Sequence, residues 1–573
     1  MHRARSRARS RCRSRVGCGP RSLSRARTRI GAGVVGTALA GALLAAVPGA
    51  VPATPAPAAV AIQWGACPEK PVPAGMRCGT LTVPLDYEAK GQAEAKAKGQ
   101  AQAKDKGQAQ AKDKDKGQAQ AKDKGRAKSK GQGQATVRIA VATLPATGPA
   151  RKRIGSLVLN FGGPGAPGVS TLAADPHAFA ELNKRYDLVA FDPRGVGHSA
   201  PVTCGGGAPE AGAAPDGPAA QLADLRAVAK RCALDSGPVL PYIGTVSVAR
   251  DMDLLRRALG EDKLDFLGFS YGTRLGAVYA ALFPRRTGRM VLDGVDTLTE
   301  PLGEQALLSA VGQQRALDNF LVWCAHQQGC VYGTNTRTAR EKVQALVARL
   351  DAEPLTGGGG LRFTGQDLAD AIGAALYSQK SWPDLADALA LVERGGDPVG
   401  LMQLGGPDEP PPPREEAAGA VAVPADNATS ALVAVNCADD PDRGDAKDSP
   451  AAVARELAEL QPVFLAASPI FGPRQLMTVL ACYGRPAGTD FIRGIDRPAG
   501  IPRILLVGTR GDPATPYEWT EETAKRLGNT VVLDYKGDGH TGYVASRCVQ
   551  GYVDHFLIDG RLPSGTRSCP AEE

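Results

Sequence analysis

The chain has 573 residues, of which 43% are hydrophobic and 22% charged, enough for a large buried core and for more than one domain. Its formal net charge is +9, but residues 1–30 contribute +11 and residues 90–134 contribute +8, so the remainder carries −10. Because the part able to fold is acidic, the sequence argues against the nucleic-acid binding that a basic total would suggest.

Residues 1–58 have the pattern of an export signal. Eleven arginines and no acidic residue occupy residues 1–30, an apolar stretch runs from Gly31 to Ala50, and small residues lie around Ala50 to Ala61. This order predicts a secretory leader, and hence a secreted protein that either leaves the cell or stays with its envelope. A membrane anchor is the alternative, although the stretch is rich in alanine and glycine. The unusual length of the arginine-rich segment would also be explained if translation started at a residue downstream of Met1.

Ten of the twelve cysteines lie beyond the leader. An even number of cysteines in an exported chain favours disulfides, although sequence alone does not determine their connectivity. A metal site is the competing interpretation, but there is no C-x-x-C pair and the histidines do not cluster with the cysteines, so we expect no metal. Nearest-neighbour pairing predicts Cys67–Cys78, Cys204–Cys232, Cys324–Cys330, Cys437–Cys482 and Cys548–Cys569.

Residues 90–134 consist of near-repeats of Lys, Gln, Ala, Gly and Asp and contain no large apolar residue. Because they have nothing to bury, we predict a disordered, enlarged loop between the strand-like runs Leu81–Tyr87 and Val137–Leu144. Weak contact with an anionic cell envelope through the lysines is the functional alternative. A tolerated loop expansion is the simpler explanation, since surface loops lengthen at small entropic cost.

From Val137 onward, short apolar runs alternate with helical stretches, which predicts a mostly parallel sheet with flanking helices. Between Glu300 and about Asp496, helical patterns such as Arg340–Leu350 and Gln366–Leu376 replace the strands. We therefore expect a sheet-forming core at 59–299 and 497–573, interrupted by a largely helical cap at 300–496. The predicted core strands are Ser156–Asn160, Asp187–Asp192, Leu264–Leu267, Met290–Asp293, Arg503–Val507 and Thr530–Asp534.

The segment Gly268-Phe269-Ser270-Tyr271-Gly272 lies between the apolar run 264–267 and the helix-like run 273–283. A serine flanked by glycines two residues to each side, where a strand turns into a helix, is how an α/β-hydrolase presents a nucleophilic hydroxyl. The glycines are needed because a Cβ at either position would collide with neighbouring backbone. The pattern predicts an α/β-hydrolase fold with Ser270 as the nucleophile.

A serine nucleophile needs a base within reach and an acid that orients the base. Elimination among the six histidines leaves His540, which lies in a loop after a predicted strand and so at the carboxyl end of the sheet. Asp512, also just after a strand, is the preferred acid, with a helix N-cap as its alternative role. The order Ser270, Asp512, His540 is that of α/β-hydrolases. The rival acids are Asp293 and Asp296.

A tetrahedral oxyanion requires two N–H donors already in position. We predict that one is the backbone N–H of Tyr271, the residue after the nucleophile, and that the other is the N–H of Gly163 in the turn Gly162-Gly163-Pro164-Gly165. A glycine-rich turn could instead bind phosphate, but neither a G-x-G-x-x-G motif nor a Walker lysine is present. We therefore expect no cofactor.

Four motifs, in their joint order, resemble secreted tripeptidyl and prolyl aminopeptidases of the α/β-hydrolase class. They are the Gly162 turn, Asp192-Pro193-Arg194-Gly195-Val196-Gly197-His198-Ser199, the Gly268 to Gly272 elbow and Asp512-Pro513-Ala514-Thr515-Pro516. The resemblance covers most of the chain from about Trp64, apart from residues 90–134. It implies an exopeptidase that removes short peptides or single residues from free N-termini through an acyl-enzyme.

Two positions depart from the family pattern. Phe161 stands where prolyl members usually have a histidine, which weakens a strictly proline-specific assignment, and Thr541-Gly542 rather than glycine alone follows His540. An exopeptidase also needs an acidic anchor for the substrate ammonium. Asp439 and Asp440 are candidates, with an exposed acidic turn as their alternative. The alternative functions are an esterase or lipase with the same triad and a non-catalytic cell-surface binding protein.

Overall fold

The computed structural model describes residues 60–68, 71–88, 135–205, 218–356, 362–405, 420–440, 449–486, 488–564 and 567–572. The predicted leader and the lysine-rich segment, residues 1–58 and 90–134, lie outside these ranges, and both interpretations stay predictions. Within the described part, no helix combines the length and the apolar character that crossing a membrane would require.

A ten-stranded sheet runs through the described residues. The strands in chain order are β1 (Ile62–Gly65), β2 (Arg77–Pro84), β3 (Thr136–Leu144), β4 (Gly155–Asn160), β5 (Tyr186–Phe191), β6 (Leu264–Phe269), β7 (Thr287–Asp293), β8 (Leu355–Thr356), β9 (Arg362–Phe363), β10 (Ile504–Gly511), β11 (Thr530–Asp538) and β12 (Ser568–Cys569). Across the sheet they stand in the order β1-β2-β3-β5-β4-β6-β7-β10-β11-β12, while β8 and β9 pair separately. The pairs β1–β2, β2–β3 and β3–β5 are antiparallel and the remaining pairs of this sheet are parallel, which confirms the predicted mostly parallel sheet.

The described helices connect or follow these strands. They are α1 (Gly168–Ala174), α2 (Ala180–Asn183), α3 (Pro218–Asp235), α4 (Thr245–Ala258), α5 (Tyr271–Leu282), α6 (Leu302–Ala325), α7 (Thr336–Ala352), α8 (Gly365–Ala375), α9 (Trp382–Gly395), α10 (Val399–Gly405), α11 (Asn427–Asp439), α12 (Pro450–Ala467), α13 (Gly472–Thr478), α14 (Tyr517–Leu527) and α15 (Arg547–Asp559).

Both faces of the parallel strands are covered, as their nearly continuous apolar sequences require. Successive residues of a strand point to opposite faces, so Phe266 joins one hydrophobic cluster and Leu267 the other. Residues of α4 and α5 belong to the cluster on the first face, and residues of α1 and α15 belong to the cluster on the second. The α/β-hydrolase fold class predicted from the sequence is confirmed.

The central strands extend farther than their apolar runs predict. β6 continues to Phe269, β10 to Gly511 and β11 to Asp538. The cause is strand pairing rather than hydrophobicity, because Thr509 pairs with Tyr535 and Gly511 with Asp538. As a result Ser270, Asp512 and His540 all lie just beyond the carboxyl ends of parallel strands, at one edge of the sheet.

The segment between β7 and β10 is largely helical and contains α6 to α13. It has a hydrophobic cluster of its own, in which Trp382 packs edge-on against Phe320 with ring centroids 5.8 Å apart. The short hairpin β8–β9 interrupts the helices and was not apparent from the helical pattern. The helical cap is confirmed as part of the fold class, whereas the boundaries at 300 and 496 stay predictions.

All five predicted disulfides are present: Cys67–Cys78, Cys204–Cys232, Cys324–Cys330, Cys437–Cys482 and Cys548–Cys569. The bond between Cys437 and Cys482 ties α11 to the segment after α13. The bond between Cys548 and Cys569 ties α15 to the edge strand β12.

Candidate active site

Ser270 occupies the sharp turn between β6 and α5. Its backbone has φ 55° and ψ −126°, a conformation that is strained for a residue other than glycine. A Cβ on Gly268 would lie 2.5 Å from the carbonyl oxygen of Gly272, and a Cβ on Gly272 would lie 2.6 Å from Oδ1 of Asn160. Both glycines are therefore required for the reason predicted, and the turn has the form of a nucleophile elbow.

His540 and Asp512 form a hydrogen-bonded pair. Nδ1 of His540 lies 2.9 and 3.0 Å from the two carboxylate oxygens of Asp512. The carboxylate is fully buried and also accepts the N–H groups of Ala514 and Thr515 at 2.8 Å each, the hydroxyl of Thr515 at 2.9 Å and the N–H of Thr541 at 3.3 Å. These donors fix the carboxylate against Nδ1, which leaves Nε2 as the ring nitrogen able to exchange a proton.

The environment of His540 raises its pKa. Burial by itself lowers the pKa, because it disfavours the imidazolium ion. The negative charge and the hydrogen bond of Asp512, together with the charges of Asp293 and Asp296, outweigh burial, so the pKa lies above the ordinary histidine value. The imidazole is therefore a stronger base than a free histidine.

The elbow and the imidazole meet at the end of β7. The carbonyl oxygen of Asp293 accepts the N–H of Ser270 at 2.9 Å, and a Cβ on the next residue, Gly294, would lie 3.3 Å from Cε1 of His540. Among the hydrogen bonds of the described residues, none joins Ser270 to His540. Catalytic hydrogen bonds often tighten only when substrate binds.

The rival acids have other partners. The carboxylate of Asp293 accepts the N–H groups of Gly542 and Tyr543, each at 2.8 Å, and so supports the loop that follows His540. Burial raises the pKa of Asp293 to about 6 despite these two hydrogen bonds. Asp296 pairs with Arg274 at 3.0 Å. Of the three aspartates, Asp512 is the one that contacts the imidazole.

The glycine turn after β4 packs against the elbow. A Cβ on Gly162 would lie 2.8 Å from Cβ of Ser270 and 3.3 Å from the backbone nitrogen of Tyr271. Gly162 and Gly163 both have positive φ, at 88° and 101°, which side chains rarely adopt. Within the described part of the chain, no hydrogen bond uses the backbone N–H of Gly163 or of Tyr271 as donor. Both N–H groups are thus without an acceptor among the described residues, and their role in binding the oxyanion stays a prediction.

Sequence reasoning missed Tyr377, a cap residue just after α8. Its carbonyl oxygen accepts the N–H of His540 at 2.8 Å, and its ring meets the imidazole edge-on with centroids 5.1 Å apart. The residue as a whole is 45% exposed. A single aromatic residue at the end of a helix gives no sequence signal of such a contact.

Asp439 lies at the end of α11 and is only 7% exposed. Its carboxylate accepts the N–H of Thr245 at 2.9 Å and also the Thr245 hydroxyl, and it lies 3.9 Å from Nη1 of Arg274. The Thr245 hydroxyl is also 2.6 Å from the hydroxyl of Tyr271, next to the elbow serine. Asp439 therefore belongs to a buried network behind the elbow.

Asp440 is likewise 7% exposed, so the alternative of an exposed acidic turn at these two residues is wrong. Its carboxylate accepts the N–H of Leu302 at 3.0 Å and contacts Arg493 at 3.2 Å. The disulfide of Cys437 and the packing of α11 bring both aspartates inside, which their local sequence did not indicate. Their predicted role as ammonium anchors stays a prediction, and both carboxylates already have partners in the protein.

The described residues contain no group of three or more His, Cys, Asp or Glu that could hold a metal ion. The groups present at the edge of the sheet are a strained serine, a carboxylate-oriented imidazole and the two backbone N–H groups predicted as oxyanion donors. This set of groups is suited to nucleophilic attack on a carbonyl carbon followed by proton transfer to a leaving group.

Comparison with known proteins identifies related chains. Residues 468–569 match the family described as TAP-like protein. The chain is 34% identical over 457 residues to the serine protease Hip1 of Mycobacterium tuberculosis, covering 75% of this chain and 83% of Hip1. It is 30% identical over 456 residues to the tripeptidyl aminopeptidase of Streptomyces lividans, covering 76% and 80%. It is also 31% identical over 512 residues to carboxylesterase B of M. tuberculosis, covering 86% of each.

Proposed function

Because the chain belongs to the TAP-like family of α/β-hydrolase serine peptidases, we propose that it is a secreted exopeptidase that cleaves short peptides or single residues from free N-termini. The observation that carries the proposal is the 2.9 Å contact between His540 Nδ1 and Asp512 at the sheet edge that also holds the Ser270 elbow. The chain is a serine hydrolase. What we propose is the identity of its catalytic and oxyanion residues, its exopeptidase specificity and its secretion.

In the proposed reaction, Oγ of Ser270 attacks the carbonyl carbon of the scissile peptide bond while Nε2 of His540 takes the hydroxyl proton. The N–H groups of Tyr271 and Gly163 donate to the oxyanion that forms. His540 then returns the proton to the leaving amine, and an acyl-enzyme remains on Ser270. A water molecule, deprotonated by His540, hydrolyses this ester, and the proton passes back to Ser270.

The Asp512 carboxylate holds the imidazole with Nδ1 protonated, which keeps Nε2 free for the substrate side. The raised pKa of His540 supports this role, because Asp512 stabilises the imidazolium that forms in each half of the reaction. The buried network of Thr245 and Asp439 supports the elbow from behind, whatever further role Asp439 has toward the substrate ammonium.

Two observations favour an exopeptidase. A relative with 30% identity is named a tripeptidyl aminopeptidase. The cap also closes against the catalytic loop, since a Cβ on Gly539 would lie 2.9 Å from the carbonyl oxygen of Tyr377. A cap in contact with the base favours the end of a peptide over an internal bond of a folded protein, because less chain has to enter.

Ester hydrolysis is the second candidate, favoured by the relative named carboxylesterase B. The same nucleophile, base and oxyanion donors cleave esters, and the cap decides which substrates reach them.

Secretion is supported by the leader-like residues 1–58 and by five disulfides, which persist in oxidising compartments.

The nucleophile is tested with a fluorophosphonate probe on the purified protein. Wild type and a Ser170→Ala control should be labelled, and Ser270→Ala should not; labelling of Ser270→Ala would place the nucleophile elsewhere.

Specificity is tested with tripeptide amides carrying free or acetylated N-termini, beside short-chain esters. Cleavage confined to free N-termini supports the exopeptidase, whereas turnover of esters alone would replace it with the esterase.

A further inference from the structure

A cavity of about 450 Å³ lies apart from the proposed triad, none of whose residues lines it. Its walls come from Tyr87, from the start of α4, from the end of α11 and from the loop that follows Cys482. Its volume is in the range of small-molecule sites, which run from about 300 to 1,000 Å³. The proposed hydrolytic mechanism makes no use of this cavity.

Arg485 in the cavity wall is a cation without a carboxylate partner among the described residues. Among the described residues, its guanidinium donates one side-chain hydrogen bond, to Sγ of Cys232 at 3.3 Å. Burial lowers the pKa of Arg485, because it disfavours the charged form. Arginine nevertheless stays protonated in proteins, so the protein bears the cost of a partly buried, unneutralised charge.

A second guanidinium lines the same cavity. Arg250 lies over the ring of Tyr87, 5.6 Å from its centroid, and within the described ranges it too forms no ion pair with a carboxylate. Asp86 and Glu88 also line the cavity, but Glu88 is exposed and Asp86 accepts the N–H of Glu88 at 2.7 Å. Neither acid neutralises Arg485.

The remaining walls are mainly apolar. Leu240 and Pro241 contribute one side, Val246 another, and Ala434 and Ala438 of α11 the third. A small inorganic anion would leave this apolar surface in contact with water, whereas an apolar body attached to an anion would cover it. The lining therefore selects for a molecule with one carboxylate and a short apolar part.

We propose that this cavity binds an organic carboxylate with a short apolar body, whose carboxylate pairs with Arg485. A planar guanidinium accepts a carboxylate in a two-pronged hydrogen bond, which gives both affinity and orientation. Two sources share this chemistry, a short fatty acid and the C-terminal residue of a peptide. The site is separate from hydrolysis and does not depend on the proposed function.

The test is calorimetric titration of the full-length, oxidised Ser270→Ala protein, in which hydrolysis by Ser270 cannot interfere. The probes are hexanoate and N-acetyl-leucine, with hexanamide and N-acetyl-leucinamide as uncharged controls. We expect at least one acid to bind and its amide to bind at least about tenfold more weakly, because the amide loses the charge-assisted pair. Tighter binding of hexanoate identifies the fatty-acid type of ligand, and tighter binding of N-acetyl-leucine the peptide type.

Two wall variants in the same background locate the site. Arg485→Gln should weaken acid binding at least about tenfold by removing the charge, and Val246→Phe should weaken it by filling the cavity while Arg485 is retained. Arg337→Gln, at an exposed arginine of α7, is the matched control and should bind as the parent does. Acid and amide of equal affinity, no binding of either acid, or binding unchanged in both wall variants would overturn the proposal. Because Val246→Phe keeps the arginine, the test stands even if Arg485→Gln does not fold.

Discussion

The backbone N–H of His540 donates a 2.8 Å hydrogen bond to the carbonyl oxygen of Tyr377. The proposed base is thereby attached to the cap as well as to the sheet. The tyrosine ring also meets the imidazole edge-on and is partly exposed. Tyr377 therefore affects both the position of the base and access to the site, so changes in the cap are expected to alter rate as well as specificity.

Substitutions at Tyr377 distinguish the contribution of its ring to activity from that of its backbone carbonyl. Tyr377→Phe keeps both the ring and the carbonyl, and we expect kcat/KM within about threefold of wild type, since it removes only a hydroxyl that forms no hydrogen bond with a described residue. Tyr377→Ala removes the ring contact, worth about 1 kcal/mol, and should lower kcat/KM by about five- to tenfold. Steady-state kinetics on a tripeptide amide measures both. An alanine variant as active as wild type would show that the ring does not help to position His540.

Asp512→Asn should abolish most of the activity while keeping the fold. The amide cannot stabilise the imidazolium and can leave the histidine in the wrong tautomer, so we expect a fall in kcat on the order of 10⁴. Asp534→Asn is the matched control, because Asp534 pairs with Arg510 on the surface of the same pair of strands. Thermal unfolding confirms that both variants fold. Near-normal kcat in Asp512→Asn would transfer the orienting role to another acid.

The raised pKa of His540 sets the direction of the pH dependence. Only the neutral imidazole accepts the serine proton, so kcat/KM should fall as pH decreases through this pKa. Because the pKa is raised, the midpoint of this acid limb should lie above about 6.5, the ordinary histidine value. A pH–rate profile on a substrate without titrating groups measures it. A midpoint below the ordinary value would mean that burial outweighs the charge of Asp512.

The disulfides should differ in their contribution to stability. Chain entropy predicts about 4 kcal/mol for Cys437–Cys482, with a sequence separation of 45, and about 2 kcal/mol for Cys324–Cys330, with a separation of 6. Replacing each pair by alanines and measuring denaturant unfolding compares the two. We expect the larger loss from the first pair. Equal losses would show that strain or residual structure in the unfolded chain dominates.

The buried pair of Arg194 and Asp251 should be sensitive to loss of one partner. Nε and Nη2 of Arg194 lie 2.7 and 2.6 Å from the two carboxylate oxygens, and both side chains are almost fully buried. Arg194→Met leaves Asp251 buried without its cation and should lower the free energy of unfolding by about 3 to 5 kcal/mol. Arg153→Met, at a more exposed pair with Asp187, should cost at most about 1 kcal/mol. Similar losses of unfolding free energy in the two variants would show that the buried pair is no more sensitive to loss of one partner than the exposed pair.

The features that could be predicted from the sequence have local signals. The elbow depends on glycines at fixed offsets from Ser270, and the existence of the strands that lead to Asp512 and His540 follows from short apolar runs, although strand pairing carries both strands beyond those runs. The disulfides join each cysteine to the next cysteine along the chain. For these features, a few adjacent residues carry the physical reason for the structure.

The features that could not be predicted depend on distant segments. Asp439 is buried because Thr245 and Arg274 approach it from elsewhere in the chain. Tyr377 reaches the proposed base only because the cap folds back over the loop at His540. A carboxylate or an aromatic ring at a helix end has the same local sequence whether it is exposed or enclosed, so pattern alone does not distinguish the two.

The short strand β12 pairs with β11 at Asp534 and Tyr535, and its Cys569 is bonded to Cys548. Without it, the N–H and C=O groups of β11 at these two positions would lose their strand partners, and unpaired edge groups are the template through which sheets of separate molecules join. Proteolysis or truncation before residue 568 would therefore promote aggregation through the strand that leads to His540. An affinity tag should therefore be added beyond Cys569, so that β12 and the Cys548–Cys569 disulfide are kept.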